Sequence, residues 1–210
     1  MVLLNHLDFI VEENAVEGFG GKHRVSRING IYRGAIAKGS GTFDLSMFVN
    51  FTGYIRDPNS VVPSNLNVVG ATRGYGLYAT VVASGNFSST GPDSFVMAFT
   101  GGEAHVFLDP FLDTVQTLPP AAGGPVVLSS AGDDVETLVA KRVSKSYSQG
   151  IRNGFGGVFQ IMFTLVNLSS RGDAYWSDLR RVGLRMLIRG SIDHADLSVG
   201  SVDLSFLSSR

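Results

Sequence analysis

Thr42-Phe43-Asp44-Leu45-Ser46-Met47-Phe48-Val49-Asn50-Phe51-Thr52-Gly53-Tyr54 carries Phe43, Leu45, Met47, Val49 and Phe51 at every second position. Asp44, Ser46, Asn50 and Thr52 hold the alternate positions, interrupted by Phe48 and Tyr54. Successive side chains of a strand point to opposite faces, so this spacing predicts a strand with one buried face. A helix of 3.6 residues per turn would scatter the same apolar groups around its circumference. The pattern recurs outward from this stretch: at Phe95, Met97 and Phe99, and at Phe159, Ile161, Phe163 and Leu165. Near the end, Leu184, Met186, Ile188 and Ile192 share one parity, and Val202, Leu204 and Phe206 share another. Leu197 and Val199 sit on the opposite parity from that last run, so the intervening Gly200-Ser201 predicts a bulge.

Turn signals separate these runs: Gly39-Ser40-Gly41, Asp57-Pro58-Asn59-Ser60, Thr90-Gly91-Pro92-Asp93, Gly101-Gly102, Arg152-Asn153-Gly154 and Arg171-Gly172-Asp173. Each supplies residues that tolerate positive φ or preset a turn. Strands bounded in this way predict an all-β fold, an antiparallel β-sandwich with a closed β-barrel as the alternative, and at most one short helix. That helix falls around Asp173 to Arg181, with Asp173 as its cap and Tyr175, Trp176 and Leu179 packing. Residues 1–210 read as a single β-rich domain, with a long loop around 118–134 opened by Leu118-Pro119-Pro120-Ala121-Ala122-Gly123-Gly124-Pro125.

Composition agrees. The 210 residues are 44% hydrophobic and 17% charged, against about 25% charged in an average domain, so the chain is globular. Gly at 26 and Phe at 14 favour tight turns between aromatic-rich strands. A net charge of -1 offers no global field to nucleic acid or anionic lipid. Without cysteine there is no disulfide framework, thiolate zinc site, iron–sulfur ligation or cysteine nucleophile. No apolar run approaches the roughly 18 residues of a membrane helix. The first residues, Met1-Val2-Leu3-Leu4-Asn5-His6, do not have the basic and apolar regions of a signal peptide.

Candidate chemistry concentrates in the acidic residues. Asp109-Pro110-Phe111-Leu112-Asp113 ends an apparent strand, and Gly132-Asp133-Asp134-Val135-Glu136 opens the next segment. Folded together, Asp109, Asp113 and Asp133 are a candidate calcium site, since calcium takes six to eight oxygens. The competing reading is that such residues cap turns through backbone N–H groups. Asp109, Asp113, Asp133 and Asp134 are the candidate contacts to calcium or sugar hydroxyls, and the single tryptophan, Trp176, is the candidate aromatic platform. Apart from calcium, no cofactor is expected. A glycosidase would need two acids at a set separation across a cleft. His6, His23, His105 and His194 have no metal-ligand spacing, no Gly-x-Ser-x-Gly elbow occurs, and Gly74-Tyr75-Gly76 precedes a strand where a phosphate loop would open a helix. Among Arg180, Arg181, Arg185 and Arg189, the last two share a strand face, with Asp178, Asp193 and Asp196 near enough in sequence to neutralise them. Asn50, Asn86 and Asn167 begin formal glycosylation triplets inside strand-like runs. The absence of a nucleophile–base or metal-ligand signature points away from an enzyme.

Ile28-Asn29-Gly30-Ile31-Tyr32 followed by Gly41-Thr42-Phe43, then Gly74-Tyr75-Gly76-Leu77-Tyr78-Ala79, Ala83-Ser84-Gly85-Asn86-Phe87, Phe107-Leu108-Asp109-Pro110 with Asp113-Thr114, and Gly132-Asp133-Asp134 form an order of short motifs. This order resembles exported bacterial proteins with a PEP-CTERM sorting signal, particularly the flocculation-associated type. The resemblance spans roughly residues 25 to 140 and continues loosely to Tyr175. It implies a non-enzymatic, secreted β-rich protein at the cell surface or in the extracellular matrix, whose partner is an exopolysaccharide or a component of neighbouring cells. The sequence departs from the pattern in having no leader peptide and in ending Leu207-Ser208-Ser209-Arg210, without the Pro-Glu-Pro, apolar helix and basic cluster of the sorting tail. Under this resemblance it is a trimmed mature region. A small-ligand carrier with a lined lumen and a structural subunit pairing through edge strands are the alternatives.

Overall fold

Every stretch read as alternating forms a strand in the computed structural model, which describes residues 4–68, 74–179, 183–193 and 197–209. The strands are β1 (Leu4–Leu7), β2 (Phe9–Glu12), β3 (Lys22–Val25), β4 (Arg27–Lys38), β5 (Thr42–Arg56), β6 (Ser60–Val62), β7 (Gly76–Gly91) and β8 (Ser94–Asp109). They continue with β9 (Val115–Thr117), β10 (Val127–Ser129), β11 (Val135–Val143), β12 (Gln149–Asn153), β13 (Gly156–Leu168), β14 (Leu184–Ile192) and β15 (Val199–Ser209). One 3-10 turn (Glu13–Ala15) and one six-residue helix, α1 (Ser170–Tyr175), complete the described elements. No helix among them is long and apolar enough to cross a membrane.

The fold is all-β and antiparallel, with one short helix. Eleven strands share one sheet, while β9–β10 and β2–β3 form two small hairpins. The large sheet follows chain order through β4, β5, β7, β8, β11, β13, β14 and β15. β15 also pairs with β4, from Val199 opposite Arg33 to Leu204 opposite Ile28, so the hydrogen-bonded path returns to its start. That circuit is the connectivity of the closed alternative. β11 and β12 each pair with both β8 and β13, and so share one place in the ring in succession.

Inward-facing side chains fill the ring. Phe43, Leu45, Met47, Val49 and Phe51 are all at most 2% exposed, and one continuous core joins them to Tyr32, Phe99, Phe159, Phe163 and Phe206. Burying each such side chain contributes about 1.5–3 kcal/mol relative to leaving it in water. Phe9, Val11 and Val25 of the β2–β3 hairpin belong to the same core, as do Tyr175, Trp176 and Leu179 from α1 and the residues after it.

Two local expectations are corrected. The helix begins before Asp173: Ser169 is its cap, accepting from the Gly172 N–H through Oγ at 2.9 Å, because its hydroxyl reaches an otherwise orphaned first-turn donor. Tyr175, Trp176 and Leu179 do pack as expected. No bulge forms at Gly200-Ser201, where the β4–β15 register is unbroken. The change of face occurs at Leu197, whose φ of 55° turns the chain before β15 starts.

Candidate functional site

Asp109, Asp113 and Asp133 do come together: one carboxylate oxygen from each lies within 4.8 Å of the others. Strand ends bring them there, since β8 finishes at Asp109 and β11 starts at Val135. Asp109, 4% exposed, uses both oxygens on the backbone. Its Oδ1 accepts from Phe111 N at 3.1 Å and Asp113 N at 3.4 Å, and its Oδ2 from Thr114 N at 3.0 Å. This is the turn-capping geometry. Asp134 accepts through Oδ2 from the Tyr78 hydroxyl and from Thr114 Oγ1 at 2.7 Å. Burial pushes its carboxyl above the ordinary range, against the pull of those two donors. Trp176 is fully buried, edge-on to Phe9, Tyr175 and Phe206, so its ring is a core contact with no face toward solvent.

The remaining flagged side chains are scattered. His105 Nδ1 lies 2.6 Å from Glu136 Oε1, and His23 Nε2 lies 3.2 Å from Glu13 Oε2. His194, Arg180, Arg181 and Asp196 lie outside the described residues.

A second site arises from register alone, on the outer wall of the ring. Cross-strand pairing sets Gln149 opposite Gln160, Gln160 opposite Arg189, Arg189 opposite Asp203 and Asp203 opposite Asn29. This polar row crosses β12, β13, β14, β15 and β4 in four steps of about 4.8 Å each. Two residues along, a second row sets Ile151 opposite Val158 and Val158 opposite Ser191, whose Oγ is 3.1 Å from that of Ser201. Between the rows run Phe159, Gly190, Val202 and Gly30 in register.

All three rows line one cavity of about 770 Å³. The middle row is its floor. A Cβ on Gly190 would lie 2.4 Å from the Phe159 ring, and one on Gly30 would lie 2.6 Å from the Asn50 carbonyl oxygen. Only glycine permits that close approach of wall and core. The walls differ in chemistry: Ile151 and Val158 are 52% and 62% exposed on one side, while amides, guanidinium and carboxylate stand on the other.

Arg27, also on the lining, has its own partners, with Nη1 3.7 Å from Asp57 Oδ1 and Nη2 donating to Asn59 Oδ1. Among the described residues, neither Arg189 nor Asp203 makes a side-chain hydrogen bond or a salt bridge, and both line the cavity. Burial holds the Asp203 carboxyl above its ordinary range although Arg189, Arg27 and His6 pull it down. The sequence alone places Arg189 on a strand face shared with Arg185 and carries no local signal for the other four members of the polar row.

Compared with protein-family models, with curated proteins and with solved structures, the chain matches none.

Proposed function

We propose that this is a non-catalytic, exported binding protein whose ligand is a polysaccharide held on the outer wall of the strand ring. The observation that carries the reading is the groove across β12, β13, β14, β15 and β4. Gln149, Gln160 and Asn29 offer amides that donate and accept, Arg189 only donates, and Asp203 when ionised only accepts. A sugar hydroxyl both donates and accepts, so it can meet every member of this row. Ile151 and Val158 supply the apolar wall against which the C–H faces of a pyranose can rest.

The filled interior favours outer-wall binding over the carrier alternative, because inward side chains from β4, β5, β7, β8, β11, β13, β14 and β15 belong to one packed core. A non-catalytic role is supported by the lining itself, which among the described residues holds Asp203 as its single carboxylate, whereas glycoside hydrolysis generally uses two. Export to the cell surface or matrix rests on the resemblance of residues 25 to 140 to flocculation-associated PEP-CTERM proteins.

Affinity electrophoresis through gels containing neutral glucans, galactans or xylans tests the reading. Retardation of the protein is expected in at least one of them, with loss of retardation in a Gln160→Ala, Arg189→Ala double variant. Unretarded migration throughout the panel, with and without calcium, overturns it. Recovery of the protein in the extracellular fraction of its native cells is the companion result expected for export.

A further inference from the structure

We infer that Asp203 is a charge gate, making the groove selective for uncharged polysaccharide and closing it to polyuronates. This rests on the proposed glycan-binding role and names the ligand class within it. The two arginines of the lining differ in situation. Arg27 is balanced by Asp57 at 3.7 Å, outside the polar row. Among the described residues, the one carboxylate beside Arg189 on the groove wall is Asp203, a cross-strand neighbour that closes no salt bridge to it.

Arg189 and Asp203 stand on neighbouring strands, one spacing of about 4.8 Å apart, so a ligand carboxylate drawn to Arg189 would lie beside the Asp203 charge. In a partly buried cavity, water screens that repulsion less than it does at an open surface. An uncharged hydroxyl meets no such penalty and can bond to both heads. Gln149, Gln160 and Asn29 carry no charge that would offset the carboxylate.

Acid should open the same gate. Burial holds the Asp203 carboxyl above the usual range, so it is among the groups that take up a proton early as pH falls. The charged and titratable groups facing it are Arg189 on β14, Arg27 on β4 and His6 on β1.

The test compares wild type with Asp203→Asn, an isosteric change, in low-salt gels containing either a neutral β-glucan or polygalacturonate. Wild type is expected to bind the glucan and to bind polygalacturonate only weakly. The variant is expected to bind polygalacturonate about tenfold tighter than wild type, the lower end of what relieving a like-charge contact yields. Adding Arg189→Gln to that variant should abolish the gain, and the difference between wild type and D203N should shrink as pH falls. Equal polygalacturonate binding by wild type and D203N, or a gain that survives Arg189→Gln, overturns the inference. If wild type binds no neutral glucan while D203N still gains polygalacturonate binding through Arg189, the ligand reading falls and the charge gate stands.

Discussion

The Tyr75 hydroxyl donates to Glu13 Oε1 at 3.0 Å, joining the first residue of the 3-10 turn to the segment that enters β7. Glu13 is 1% exposed and also accepts from Asn65 N and Asn65 Nδ2, both at 2.8 Å. The Tyr75 oxygen meets those of Tyr54 at 2.8 Å and Tyr175 at 3.0 Å, so the cluster binds the N-terminal hairpin region, the ring and α1 together. Burial pushes all three phenols well above their ordinary pKa, and they stay protonated as donors. Glu13→Ala removes an acceptor from three donors and should cost about 3–5 kcal/mol. Tyr75→Phe removes one donor and should cost about 1 kcal/mol. Urea denaturation midpoints of the two variants check the order; equal costs would mean that Glu13 does not organise the cluster.

Asp203 gives a stability signature independent of ligand. Its folded-state pKa is raised, so the native state keeps the proton to higher pH than the unfolded chain does. Stability therefore falls as pH rises through the interval between the unfolded and the folded value. Asp203→Asn should raise the Tm at neutral pH, and the gain should vanish below the ordinary carboxyl range. A variant equally stabilised at both pH extremes would show that burial of the charge is not the cause.

At the tip of β8, the hydrogen bonds favour turn capping for Asp109. Asp109→Ala strips acceptors from Phe111 N, Asp113 N and Thr114 N and should cost about 1–3 kcal/mol. In that role the wild-type Tm is indifferent to added calcium or to a chelator. A Tm that climbs with calcium would assign Asp109, Asp113 and Asp133 to a cation instead.

Trp176 supplies the single indole fluorophore of the chain. Enclosed by Phe9, Tyr175 and Phe206, it should emit in the blue-shifted range of buried indoles and resist quenching by acrylamide. Its emission should stay unchanged when polysaccharide saturates the groove. A quench on binding would mean that the ligand reaches the core beside α1.

Period-two alternation made the strands legible because burial inside the ring follows it closely at Phe43, Leu45, Met47, Val49 and Phe51. It failed at Ser46, read as facing water and found buried. Gly123 N donates to Ser46 Oγ at 2.8 Å, and Ser46 Oγ donates to the Gly124 carbonyl at 2.7 Å, so the proline-rich loop lies across that face. The meeting of Asp109, Asp113 and Asp133 was readable because strand ends flank the segments that carry them. The outer-wall groove was not. Its polar row draws Asn29, Gln149, Gln160, Arg189 and Asp203 from five strands, and register, which sets them side by side, is a tertiary property. The one local trace was Gly30, Gly150 and Gly190 on inward parities, beside polar residues on outward ones.

The pairing of Val202 with Gly30 has a consequence for how the molecule comes into being. β4 is synthesised early and must wait for β15, so during translation its edge stays open while the other strands zip up in order. Closure of the ring is among the longest-range events in folding and completes cooperativity only at the end. Until then the nascent chain exposes two open edges, one on β4 and one on β14, each matched to β15. A pause in synthesis before β15 would leave them free to recruit a second copy in place of the chain's own last strand.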